Sequence, residues 1–158
     1  MTHLNRASTL RYAPEYHENL GSVMCLLNQS SFHKGYRLWN LSIDIVPALR
    51  RGQLKLYFDS QHQPTGFVIW EWVNSRTIQH LVNVETTPYL EYCPRRDYLL
   101  ITEFMATADN AKAMIADIKS ALFPREHIFC LSRYADGSIR KVHQWQGDQL
   151  RADTKALI

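Results

Sequence analysis

Among the seven histidines of this 158-residue chain, His33 has the setting best suited to chemistry. Ser30 stands three residues before it and Lys34 directly after, at the end of the polar run Asn28-Gln29-Ser30-Ser31. A neutral imidazole accepts a proton from an attacking amine, and its unperturbed titration lies near neutral pH. A hydroxyl in reach of the ring would orient it or donate to a developing oxyanion. The same residues also suit a plain helix stop, with Ser30 ending the helix and His33 an ordinary residue in a polar, exposed loop. Cys25, Cys93 and Cys130 are widely spaced in or beside apolar sequence, which reads as reduced structural thiols without zinc or redox spacing.

The elements that must position His33 follow from periodicity. After Pro14, the residues Tyr16, Leu20, Val23, Met24 and Leu27 recur at helical spacing, with Glu15 and Glu18 in the first turns where the helix dipole favours acids. This helix runs out at Asn28 to Ser31 and delivers Phe32-His33-Lys34-Gly35 into a turn. A second helix over Leu41 to Arg51 stops at Gly52. Period-two segments Gln53 to Asp59 and Gly66 to Val73 flank a turn containing Pro64 and form an antiparallel hairpin, with Ile78 to Val84 expected to pair beside it. Tyr98 to Ala106 is a continuous apolar run of strand length, a central strand buried on both faces. Asp109 reads as the N-cap of a helix whose stripe is Ala111, Met114, Ile115, Ile118 and Leu122, ending before Pro124. His127 to Tyr134 and Ile139 to Gln146 are strands joined through Asp136-Gly137. The layout is α+β, a mixed, mostly antiparallel sheet flanked by helices, and its order suits a Gcn5-related N-acyltransferase-like fold.

Composition narrows the alternatives. A 46% hydrophobic content with a net charge of +3 is that of an ordinary folded chain. The expectation is one domain over 1–158 with a loose segment at 1–14. A chain of this length buries roughly 68–70% of its unfolded surface, enough for a core without disulfides or a structural metal. No apolar stretch approaches the ~18–20 residues of a membrane span, and the first twenty residues lack an apolar signal core, so the expected address is cytoplasmic. The slight positive balance forms no basic stripe with interleaved aromatics, which argues against nucleic acid as a partner.

Several landmarks in order, Leu20-Gly21-Ser22-Val23, Ser30-Ser31-Phe32-His33-Lys34, Val46-Pro47-Ala48-Leu49, Gln53-Leu54-Lys55-Leu56 and Pro64-Thr65-Gly66-Phe67-Val68-Ile69-Trp70, resemble those of the RTX toxin-activating lysine acyltransferases. Asp109-Asn110 and Phe123-Pro124-Arg125-Glu126 extend the resemblance, which covers about residues 19 to 148. It implies an enzyme that moves a fatty acyl group from acyl carrier protein onto internal lysines of an RTX protoxin, with no bound cofactor and, as in the family, a homodimer. His33 falls on the family's essential histidine and Ser30 on a serine that assists it. The family's C-terminal helical extension is nearly missing after Leu150.

The chain departs from the family on the central strand. Where the family has an aspartate, Ile101-Thr102-Glu103-Phe104 places Thr102, counting back from Asp109-Asn110 without a gap. Threonine can hydrogen-bond an imidazole but cannot stabilise imidazolium by charge. Glu103 points to the opposite face of a regular strand and replaces the aspartate only if a bulge or a one-residue shift re-aims it. Otherwise Thr102 serves, or another carboxylate such as Asp44 or Asp109. The missing aspartate leaves a second reading, a catalytically weakened relative that binds the protoxin or the carrier. Met105 to Asn110 lacks the glycine-rich loop that holds a coenzyme A pyrophosphate, which agrees with a protein-borne thioester. Arg50, Arg51, Arg95 and Arg96, with Lys55, would meet an acidic carrier protein if they share a face. Trp39, Trp70, Trp72 and Phe104 either line an acyl groove or are plain core.

Overall fold

The computed structural model describes residues 14–31, 33, 41–84, 97–107, 109–134 and 138–156. Residues 1–13, Lys34, Trp39, Cys93, Arg95, Arg96 and the Asp136-Gly137 turn lie outside the described residues. Helix α1, Pro14–Gln29, buries Val23, Leu26 and Leu27 with Leu20 packed alongside, the i, i+3, i+4 stripe of an amphipathic helix. Met24, expected on that stripe, is 43% exposed instead, and Leu26 takes the inner position. The next segment winds as a π-helical turn over Leu41–Ile45 and continues as α2, Val46–Arg51. Pro47 accounts for the wide turn: its ring disfavours the α-helical position of the carbonyl four residues back, at Ile43. Gly52 closes α2 in the left-handed region at φ 66°, a conformation that costs glycine little.

Strands β1, Leu54–Phe58, and β2, Pro64–Val73, form the expected antiparallel hairpin. Ile78 to Val84 does not add a strand; Ser75–Val84 is the helix α3. Asn74 decides this locally, because its side chain accepts hydrogen bonds from the Thr77 amide at 2.9 Å and the Thr77 hydroxyl at 3.1 Å, an N-cap arrangement. Ile78 and Leu81 then bury against Val73 and Leu100. Strand β3, Tyr98–Ala106, is central as expected. The helix after it, α4, spans Ala111–Asp117 and runs on as a π-helical turn, Ile118–Leu122. Its N-cap is Asn110 rather than Asp109, and the Asn110 amide donates to Thr65 Oγ1 at 2.7 Å, tying the helix to the start of β2. Strands β4, His127–Arg133, and β5, Ile139–Gln146, complete the sheet. After β5, Asp148–Ala156 forms α5, anchored where the amides of Gln149 and Leu150 donate to the Pro124 carbonyl at 2.9 and 3.0 Å.

The sheet order is β1-β2-β3-β4-β5, antiparallel throughout except for the β3–β4 pair, which α4 connects as a parallel crossover. Helices α1 and α2 cover one face over Phe67, Ile69 and Met105. Ile118 and Leu122, in the π-helical turn that continues α4, cover the other over Val68, Leu99, Ile101 and Cys130. The architecture is α+β and resembles the Gcn5-related N-acyltransferase fold. No helix among the described residues is long and apolar enough to cross a membrane.

Two contacts set how closely α4 lies on the sheet. A Cβ at Gly66 would fall 2.5 Å from Met114 Sδ and 2.6 Å from the Met105 carbonyl oxygen, so only glycine lets β2, β3 and α4 meet. Asp117 at the end of α4 receives hydrogen bonds from Lys55 Nζ at 2.6 Å and Tyr57 OH at 2.8 Å, both on β1. Burial would raise the Asp117 pKa, but these donors outweigh it and hold the carboxyl below its ordinary range.

Gly66→Ala is therefore expected to lower unfolding free energy by about 1–3 kcal/mol through overpacking, measured by chemical denaturation. For Asp117, a depressed folded pKa means the stabilisation is present above the ordinary carboxylate range and fades as pH falls through the folded value. With the pair about one-third exposed, Asp117→Asn should cost only about 0.5–1 kcal/mol at neutral pH. The gap from wild type should close in acid, read from thermal melts across pH.

Candidate active site

Just past the end of helix α1 the Ser30 amide bonds to the Leu27 carbonyl at 3.2 Å, and one further turn brings the His33 amide to the Ser30 carbonyl at 3.2 Å. This tight turn fixes side chains three residues apart. Ser30 Oγ lies 2.6 Å from His33 Nδ1. The exposed loop expected around His33 is not what forms: His33 is only 7% exposed, because the turn folds the ring inward against the sheet.

On β3 the ladder with β2 pairs Ile69 with Glu103 and Trp70 with Ile101, so Thr102 is an extra residue, a β-bulge. Its effect is visible in the packing. Leu99 and Ile101 belong to the cluster under Ile118, whereas Met105, which regular alternation would place on the same face, packs against α1. Glu103 changes face with Met105, and its Oε2 comes to 3.6 Å from His33 Nε2. That separation is a charge contact longer than a direct hydrogen bond. Thr102 turns its hydroxyl to the Ile69 carbonyl at 3.5 Å. Of the two central-strand candidates, the carboxylate at Glu103 faces the imidazole. Of the two remaining carboxylates, Asp109 is exposed before α4 and Asp44 is half-buried in the π-helical turn before α2.

The β3–β4 ladder stops at Ile101–Cys130, although β3 runs on to Ala106 and β4 to Arg133. Between the parted strands lies a cavity of about 760 Å³. Ser30, Ser31 and His33 line one end, Thr102 to Thr107 and Cys130 to Arg133 the walls, with Ile115, His143 and Trp145 completing it. Size and lining are those of a small-ligand site. Burial first, and then nearby Glu103, push the Asp44 carboxyl above its ordinary range, against the opposing pull of Arg133. Asp44, Glu103 and Arg133 thus form one electrostatic neighbourhood beside His33. Burial, with Glu103 behind it, also pushes the Cys130 thiol up to about 12, so Cys130 is not a thiolate nucleophile at neutral pH. Among the described residues no group of three or more His, Cys, Asp or Glu could hold a metal ion.

The basic residues do not converge. Arg51 pairs with Glu71 and Gln53, while Lys55 is held by Asp117 toward the opposite, α4, side. Arg50 is exposed at the end of α2. Of the aromatic groove candidates, Phe104 lines the cavity, whereas Trp70 and Trp72 pack edge-to-face on Phe123, at 5.2 and 6.3 Å between ring centroids. Ile115, Arg133, His143 and Trp145 were not singled out by the sequence reading as site residues. Two-residue alternation does place His143 and Trp145 on one face of β5, but only the parting of β3 from β4 gives that face a cavity to line.

An imidazole between a hydroxyl and a carboxyl group, on the wall of a cavity open to solvent, is placed to take a proton from a nucleophile. The wider chain fits that chemistry. An uncharacterized protein of Synechocystis sp. is 22% identical over 132 residues, covering 80% of this chain and 90% of that protein. A sequence model of the RTX toxin acyltransferase family matches residues 13–146, from the start of α1 to the end of β5, and so includes every residue of this cavity. The chain therefore belongs to the RTX toxin acyltransferase family, which implies acyltransferase activity on RTX protoxins.

Proposed function

We propose that the protein transfers a fatty acyl group from acyl carrier protein to the ε-amine of internal lysines in an RTX protoxin, with His33 as the base. The observation that carries this reading is the buried imidazole held between Ser30 Oγ at 2.6 Å and Glu103 at 3.6 Å on the cavity wall. In this reading the ring's proton sits on Nε2, on the side of the Glu103 carboxyl, across a charge contact of 3.6 Å. Nδ1 is then the basic atom and accepts the Ser30 hydroxyl.

When a lysine amine attacks the thioester carbonyl, the nitrogen bonds to carbon and loses a proton to Ser30 Oγ as the serine's own proton moves to Nδ1. The tetrahedral intermediate collapses with departure of the carrier's thiolate, which takes the proton back from the imidazolium. During the step Glu103 stabilises the imidazolium by charge, which Thr102 could not do. Serine relays the proton, and no acyl-enzyme is needed. A glycine-rich phosphate loop is absent before α4, and Asp109 sits near its start, which supports a protein-borne thioester over free coenzyme A as donor. Arg51 and Lys55 pair with carboxylates, and we assign the contact with an acidic carrier to Arg50, exposed at the end of α2, together with Arg95 and Arg96.

The reading as a weakened relative that only binds protoxin or carrier arose from the missing aspartate. The Glu103 carboxylate beside His33 supports the active reading instead.

Co-expression with the protoxin, followed by mass spectrometry of its lysines, tests the assignment. His33→Ala is expected to reduce acylation by about 10²–10⁴-fold with the fold retained. Undiminished acylation would remove His33 from the reaction. Glu103→Gln should cost less than His33→Ala but more than Thr102→Val. The opposite order would make the threonine, not the glutamate, the ring's support.

A further inference from the structure

The cavity has two unlike halves, because it passes through the gap between β3 and β4 from one face of the sheet to the other. Ser30, His33 and Glu103 lie on the α1 side. Phe104, Cys130 and Trp145 belong to the apolar cluster on the α4 side, and Ile115 is on α4 itself. The Cys130 thiol stays protonated there, so it adds no charge to that wall. A reaction centre thus opens directly into an apolar chamber behind the sheet.

We infer that the α4-side half of the cavity seats the acyl chain of the donor, and that Ile115 and Trp145 close its far end and set the longest chain accepted. The inference rests on the proposed acyl transfer and adds to it which residues choose the acyl group. Three observations carry it. The chamber is continuous with His33, so a chain lying in it would present its thioester carbonyl at the parting of the strands. Its lining is mainly apolar, with Phe104, Ile115, Cys130 and Trp145 outweighing the one imidazole, His143, on the Trp145 face of β5, which suits an alkyl chain. Ile115 and Trp145 lie on the face of the sheet opposite His33, one on α4 and one on β5, two strands from β3. The lysine would reach the carbonyl from the α1 side, where the base is, so donor and acceptor approach from opposite faces without competing for space.

Binding and transfer can be read separately. Calorimetry with a ladder of non-transferable acyl-pantetheine thioethers, saturated and lengthened two carbons at a time, measures the seat alone. Affinity of the wild type should rise with length, by up to about tenfold per methylene, and then level off where the chamber ends. Ile115→Trp should move that plateau to shorter chains, and Ile115→Ala and Trp145→Phe to longer ones. The same shifts should appear in the chain lengths transferred from charged acyl carrier proteins. Affinity independent of length, or one plateau common to the wild type and every folded variant, overturns the inference. A wild type that binds the ladder as described yet acylates no lysine overturns the proposed reaction and leaves the acyl seat standing.

Discussion

One extra residue in the central strand governs the site. By bulging at Thr102, β3 keeps Leu99 and Ile101 in the core under Ile118 and turns Glu103 and Met105 to the α1 face. Without it, regular alternation would leave Glu103 in the apolar cluster of the opposite face, an unpaired carboxylate in low dielectric, and His33 without a charge partner. The bulge therefore resolves a packing problem and a chemical one together. Bulges bend the strand that carries them, and the β3–β4 ladder ends at the residue just before Thr102.

The cavity depends on β3 and β4 being parallel. Antiparallel neighbours joined by a tight turn stay paired up to that turn, as β1–β2 do here. Parallel neighbours need a crossover, and α4 with its π-helical turn supplies it, leaving the C-terminal ends of β3 and β4 free to diverge. Gly66 and the Lys55–Asp117–Tyr57 cluster hold α4 down on the sheet and fix the roof of the chamber. Stability and site geometry thus share the same contacts.

The electrostatics around His33 follow from burial. Glu103 sits close enough to Asp44 and Cys130 to push both toward their protonated forms, while Arg133 opposes the effect at Asp44. A negative neighbourhood that discourages further ionisation of acids favours positive charge in the same cavity.

Much of this was legible beforehand. The stripe of α1, the hairpin, the apolar run of β3 and the α4 helix each follow from local periodicity, and the Ser30–His33 spacing pointed to the right turn. Local chemistry also explains where the reading erred: Ile78 to Val84 has strand-like residues, but the Asn74 cap starts a helix. The sequence by itself determined the elements, their order and the residue types able to move a proton, because these depend on neighbours a few residues away. Only the tertiary structure decided that His33 is buried, that Glu103 rather than Thr102 faces it, and that Ile115, His143 and Trp145 share its cavity. Those outcomes depend on the register between strands distant in sequence, where a shift of one residue exchanges the two faces of a sheet.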